Sequence, residues 1–133
     1  MSEIITYNGS VCNINYHFVW CTKYRKAVLI FPDDVKKIIT DICTQYRWII
    51  RALEVMEDQI HLFITTPPFD APSKIAKIVK GASARQLFLL HPKLKKDLWG
   101  GHLWSPSYYC GTAGMVSAEI IKQYIADQKT KKV

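Results

Sequence analysis

Two runs of alternating polar and apolar residues, at 11–21 and 59–65, combine with two stretches of helical period at 33–46 and 73–90 to order the chain as β-α-β-β-α-β-α. That order predicts an α+β fold, the ferredoxin-like plait. It is an antiparallel sheet with two helices on one face, here followed by a C-terminal helix free for another task. The 133 residues suffice for one domain, 1–133, with its own core.

Each element has its own signal. In residues 11–21, Cys12, Ile14, Tyr16, Phe18 and Trp20 alternate with Asn13, Asn15 and His17, the pattern of a strand with one buried face. After the basic segment Lys23, Tyr24, Arg25, Lys26, Asp33 is a plausible N-cap for a helix carrying Val35, Ile38, Ile39, Ile42 and Tyr46 at helical spacing. Residues 48–56 and 59–65 read as a hairpin across the Glu57-Asp58 connection, ended by Pro67 and Pro68. Ser73 can cap a second helix built on Ile75, Ile78, Val79, Ala82 and Leu89, which His91 and Pro92 stop. A fourth strand is expected over 103–112. Gly111 and Gly114 then allow a turn, and Ser117 can cap a last helix holding Ile120, Ile121, Tyr124 and Ile125.

Composition narrows the class of partner. Hydrophobic residues make up 49% and charged residues 22%, as in folded proteins and unlike disordered chains. Eighteen Lys and Arg against 11 Asp and Glu give a net charge of +7, which favours polyanions such as nucleic acid. Cys12, Cys21, Cys43 and Cys110 show no C-x-x-C or zinc-finger spacing. If the first strand runs unbroken, Cys12 and Cys21 stand about 30 Å apart at roughly 3.3 Å per residue, beyond disulfide reach. Reduced thiols and a cytoplasmic location are therefore expected. No leader and no apolar run of about 18 residues is visible, so no membrane span is expected.

The chemistry-bearing residues fall into two pairs. Alternation puts Gln59 and His61 on one face of their strand, opposite Ile60 and Leu62, as a candidate metal site. Tyr124 and Gln128 stand four residues apart in a helical stretch and so share a side. Lys74, Lys77, Lys80 and Arg85 form a stripe on the second helix, with Lys23 and Arg25 just beyond the first strand. These cations suit phosphate contacts. Taken alone, His61 reads as a structural histidine, Tyr124 as an amphipathic residue docking the last helix, and the stripe as a solvated face. His17 reads as a supporting hydrogen-bond group. Trp104, Tyr108 and Tyr109 are candidates for stacking on bases or for packing in the sheet.

In order and spacing, several blocks resemble the IS200-like single-tyrosine transposases of the His-hydrophobe-His nuclease group. They are Tyr16-His17-Phe18-Val19-Trp20 with Thr22-Lys23-Tyr24-Arg25-Lys26, Asp58-Gln59-Ile60-His61-Leu62-Phe63, Lys80-Gly81-Ala82-Ser83-Ala84-Arg85, Leu103-Trp104-Ser105 and Tyr124-Ile125 followed by Gln128. The resemblance implies a homodimer that binds hairpins at element ends and cuts and rejoins single-stranded DNA through a 5′-phosphotyrosine link. It implies Tyr124 as nucleophile, His61, Gln59 and Gln128 as ligands of Mg²⁺ or Mn²⁺, and a helix-borne cation stripe on the DNA. The covalent link conserves the phosphodiester energy, so no nucleotide cofactor is needed, and no G-x-x-x-x-G-K-[ST] loop is present.

The chain departs from that family at Gln59, where the usual motif has a second histidine. An amide oxygen is a harder and weaker ligand than imidazole, which tilts preference towards Mg²⁺ or Mn²⁺. A non-catalytic hairpin-binding relative therefore stands as one alternative. A plait-fold RNA-binding module stands as another, ranked last because the first strand's aromatics share its apolar face.

Overall fold

A computed structural model describes residues 5–7, 9–98 and 101–112. Its strands are β1 (Ile5–Tyr7), β2 (Ser10–Cys12), β3 (Ile14–Cys21), β4 (Ile49–Val55), β5 (Gln59–Thr66) and β6 (Tyr109–Thr112). Its helices are α1 (Pro32–Gln45), α2 (Pro72–Leu90) and the short α3 (Lys93–Asp97), with a 3-10 turn over Lys23–Arg25. The main sheet has the order β4-β5-β3-β6 with every pairing antiparallel, as the plait requires. The expected last helix, with Tyr124 and Gln128, lies outside the described residues.

The core forms between one face of this sheet and the two long helices. Phe18 and Trp20 of β3, Ile60, Leu62 and Ile64 of β5, and Val55 of β4 meet Val35, Ile39 and Ile42 of α1 and Ile75, Val79 and Leu87 of α2. Fully burying each such side chain contributes about 1.5–3 kcal/mol. The register fixes the opposite face as well: His61 pairs with Val19 on one side and Glu54 on the other, and His17 pairs with Phe63 and Gly111. Side chains paired across strands share a face, so His17, Glu54, Gln59 and His61 all lie away from the helices.

Four expectations are corrected. The strand expected over 11–21 breaks at Asn13, and its first part pairs instead with β1 in a separate two-stranded sheet. Asn13 accepts a 2.7 Å hydrogen bond from the Asn15 amide, a local bond of the kind by which such side chains compete with ladder pairing. Neither Asp33 nor Ser73 is an N-cap. Both caps lie two residues earlier, at Phe31 and Ala71, which make no side-chain bond, and the helices begin at Pro32 and Pro72. Proline's fixed φ and missing N–H suit the first helical position, which leaves Asp33 in the first turn to meet the helix dipole.

The strand expected over 103–112 covers only β6, preceded by an isolated Thr22 to Trp104 bridge. Pro106 interrupts the segment and can donate nothing to a ladder. Other bonds hold this stretch down. The Lys80 ammonium donates to the carbonyls of Ser105 at 2.8 Å and Ser107 at 3.0 Å, while the Trp104 indole N–H donates to buried Ser83 Oγ at 3.0 Å.

All four cysteines are free thiols, and burial pushes the Cys43 thiol up to about 12, so it stays protonated. No described helix is long and apolar enough to cross a membrane.

Candidate active site

β5 places Gln59 and His61 two residues apart on the face away from the helices, and their functional atoms meet, with His61 Nε2 3.1 Å from Gln59 Oε1. What turns the amide this way is its neighbour. Asp58, able only to accept, lies 3.4 Å from Gln59 Nε2 and so takes the amide's nitrogen end, leaving the oxygen towards His61. Arg25 in turn holds Asp58, its Nη2 and Nε at 3.1 and 3.3 Å from one carboxylate oxygen. A charged side chain from the turn after β3 thus orients a neutral amide on β5.

His61 is only 3% exposed. Burial, then the neighbouring His17 ring, push its pKa down to about 4, against a smaller upward pull from Glu54. His17 is buried on the adjacent strand, its ring centroid 5.6 Å from that of His61, and burial lowers its pKa too. Both rings are therefore neutral at pH 7, the form in which imidazole binds metals.

This pair fits a divalent cation. The histidine atom that meets Gln59 is Nε2; the other ring nitrogen, Nδ1, is buried and has no hydrogen-bond partner among the described residues. A donor separation of 3.1 Å is what two ligands of one ion show when each lies about 2.1 Å from it. Among the described residues no three His, Cys, Asp or Glu side chains gather as a metal cage. His61 and Gln59 would thus hold two positions and leave the others to groups beyond them. The proposed ligand Gln128 and nucleophile Tyr124 lie outside the described residues.

The expected DNA-contacting cations divide. Lys77 and Arg85 are exposed on α2. Lys74 forms a 2.9 Å ion pair with Asp70, whose buried carboxylate also accepts the Trp48 indole N–H at 2.8 Å. Lys80 is committed to two backbone carbonyls and sits 5.7 Å over the Tyr108 ring, and burial lowers its pKa. Lys23 lies 5.4 Å over the Tyr24 ring, and Arg25 is paired with Asp58.

Sequence reasoning gave Glu54 and Asp58 no role at the site. Each is placed there by strand register or by the hairpin connection, which a one-dimensional pattern does not report. Of the three aromatics considered for stacking, Trp104 is buried, while Tyr108 and Tyr109 are 39% and 57% exposed.

A plait that carries this donor pair on a central strand has a known counterpart. The family described as "Transposase IS200 like" matches residues 10–128, which makes the protein a transposase, a DNA-processing class. The chain belongs to the IS200-like transposases, as its motifs suggested. It is 41% identical over 125 residues to the ISDra2 transposase TnpA of Deinococcus radiodurans, covering 92% of this chain and 89% of that one. The crystal structure of a Deinococcus radiodurans R1 protein described as a transposase superposes with a TM-score of 0.77 at 41% identity, over 93% of this chain and 97% of that one. A REP-associated tyrosine transposase bound to a REP hairpin shares the fold, with a TM-score of 0.62 at 17% identity, over 100% of this chain and 76% of that one.

Proposed function

We propose that this transposase binds DNA hairpins at element ends as a homodimer and cleaves and rejoins single-stranded DNA through a 5′-phosphotyrosine intermediate. The observation that carries the reading is the contact between Gln59 Oε1 and His61 Nε2. It sets side by side two atoms of kinds that can ligate a metal, on the strand where the family motif falls.

Tyr124 is the nucleophile in this reading. Its phenolic oxygen, freed of its proton, forms a bond to phosphorus as the bond from phosphorus to the 3′ oxygen breaks, and that oxygen leaves as a 3′-hydroxyl after taking up a proton. A phenol titrates near pH 10, so at neutral pH the attack needs help. Mg²⁺ or Mn²⁺, when bound, draws charge from the scissile phosphate. His61 and Gln59 would hold the ion from β5 and Gln128 from the tyrosine's own helix. Rejoining is the same displacement in reverse, with the 3′-hydroxyl as nucleophile. Lys77 and Arg85, exposed on α2, suit hairpin phosphates, and the structural relative solved with a REP hairpin supports that kind of substrate.

The test is to incubate the protein with labelled single-stranded element-end DNA and Mn²⁺ or Mg²⁺, then look for a denaturation-resistant adduct. An adduct that vanishes in Tyr124→Phe is expected, since only the hydroxyl is removed. Cleavage unchanged in Tyr124→Phe would sink the nucleophile assignment. Gln59 in the place of a histidine favours one second reading, a hairpin-binding relative without chemistry. That reading requires salt-dependent binding with no adduct, and cleavage rescued by Gln59→His.

A further inference from the structure

The turn after β3 holds two consecutive non-glycine residues in the left-handed region, Tyr24 at φ 58 and Arg25 at φ 53. A side chain with a Cβ disfavours that region, and an aromatic gains nothing there from its own backbone. Nor does the Tyr24 ring serve the core, since the residue is 72% exposed. The surroundings nevertheless fix the turn. Thr22, fully buried, donates from its hydroxyl to the Lys26 carbonyl at 2.7 Å, the Lys23 N–H donates to the Leu103 carbonyl at 2.8 Å, and Arg25 is tied to Asp58. Strain held in place this firmly around an exposed side chain is a mark of a working surface.

We infer that Tyr24 is a stacking platform for an unpaired base of single-stranded DNA beside the metal-ligating pair. The turn is joined to that pair side chain by side chain, from Arg25 to Asp58, Asp58 to Gln59 and Gln59 to His61, in contacts of 3.1, 3.4 and 3.1 Å. The backbone adds a contact between them, the Thr22 N–H donating to the Asp58 carbonyl at 2.9 Å, so the turn is a neighbour of the site at which a phosphate would be held. The chemistry there matches such a ligand, with an exposed ring for the base and the Lys23 ammonium, 5.4 Å from the ring centroid, for the backbone. Stacking reads no sequence, so the role is to hold the strand in place. The inference rests on the proposed action on single-stranded DNA.

Tyr24→Gly separates the two consequences of this arrangement. Glycine accepts the left-handed backbone, so the variant should melt about 3 °C higher. Losing the ring should weaken binding of a labelled single-stranded oligonucleotide without a hairpin about tenfold, with the salt dependence unchanged because no charge is lost. Tyr24→Phe, which keeps a ring, should bind as the wild type does. Unchanged affinity in Tyr24→Gly, or a lowered melting temperature, overturns the platform while leaving the proposed function standing. Wild-type protein that binds neither this oligonucleotide nor element-end DNA with its hairpin overturns both.

Discussion

Acid should destabilise the metal-free protein through His61, and the size of the effect follows from its burial. The ring's pKa falls from 6.5 to about 4 in the folded state, while the unfolded chain keeps the ordinary value. Above pH 6.5 both states are neutral there and nothing is lost. As pH falls towards 4 the unfolded state takes up a proton that the folded state resists, so stability drops. At about 1.4 kcal/mol per pH unit the full effect is about 3 kcal/mol, of which about 2 kcal/mol is developed by pH 5. For a domain of this size that is a melting temperature about 7 °C lower. The assay is thermal or urea unfolding at pH 7 and pH 5 with a chelator present, on wild type and His61→Gln. The variant keeps a polar side chain but cannot titrate, so its loss between the two pH values should be smaller by about 2 kcal/mol. Parallel losses in the two proteins would refute the reasoning, because they would mean that the His61 site accepts a proton freely.

Two further outcomes follow from the side chains around the site. Lys80→Met should cost about 1–2 kcal/mol by freeing two carbonyls of the 105–107 segment and leave the salt dependence of DNA binding unchanged, whereas Lys77→Met should leave stability alone and lower the salt slope by about one; urea unfolding and filter binding at several salt concentrations decide it. Asp70→Ala removes a buried carboxylate that accepts from Trp48 and pairs with Lys74, and should cost about 2–3 kcal/mol in urea unfolding; a loss below about 0.5 kcal/mol would mean that the indole finds another acceptor.

The sheet and the face that carries Gln59 and His61 were legible in the sequence because period-two alternation is a direct image of strand geometry. Gln59, Ile60, His61 and Leu62 sort onto two faces before any coordinates exist, and the neighbours bear that sorting out. The helix caps fall two residues before Asp33 and Ser73, which are good caps in isolation, because Pro32 and Pro72, already in view, are better first residues. The β1–β2 hairpin also had a signal, Asn8-Gly9 between Tyr7 and Ser10, with Gly9 at φ 85. It was hidden by the apparent continuity of 11–21. Long-range partners were beyond reach. Nothing in a helical stripe says that Lys80 turns to the carbonyls of Ser105 and Ser107 while Lys77 stays in solvent. Nor does local pattern reveal that Arg25 reaches Asp58, 33 positions on.

Arg51 is an extra residue in β4. Before it Ile50 pairs with Ile64, and after it Ala52 pairs with Phe63, so the strand gains one step on its partner. Continued without that step, the earlier register would set Leu53 opposite His61 and drive Glu54 into the core opposite Ile60. The inserted residue thus acts as a phase shifter, returning Leu53 to the core and bringing a carboxylate alongside the imidazole. Length is a constraint on this strand: removal of one residue exchanges the inside and outside of everything between the bulge and the hairpin.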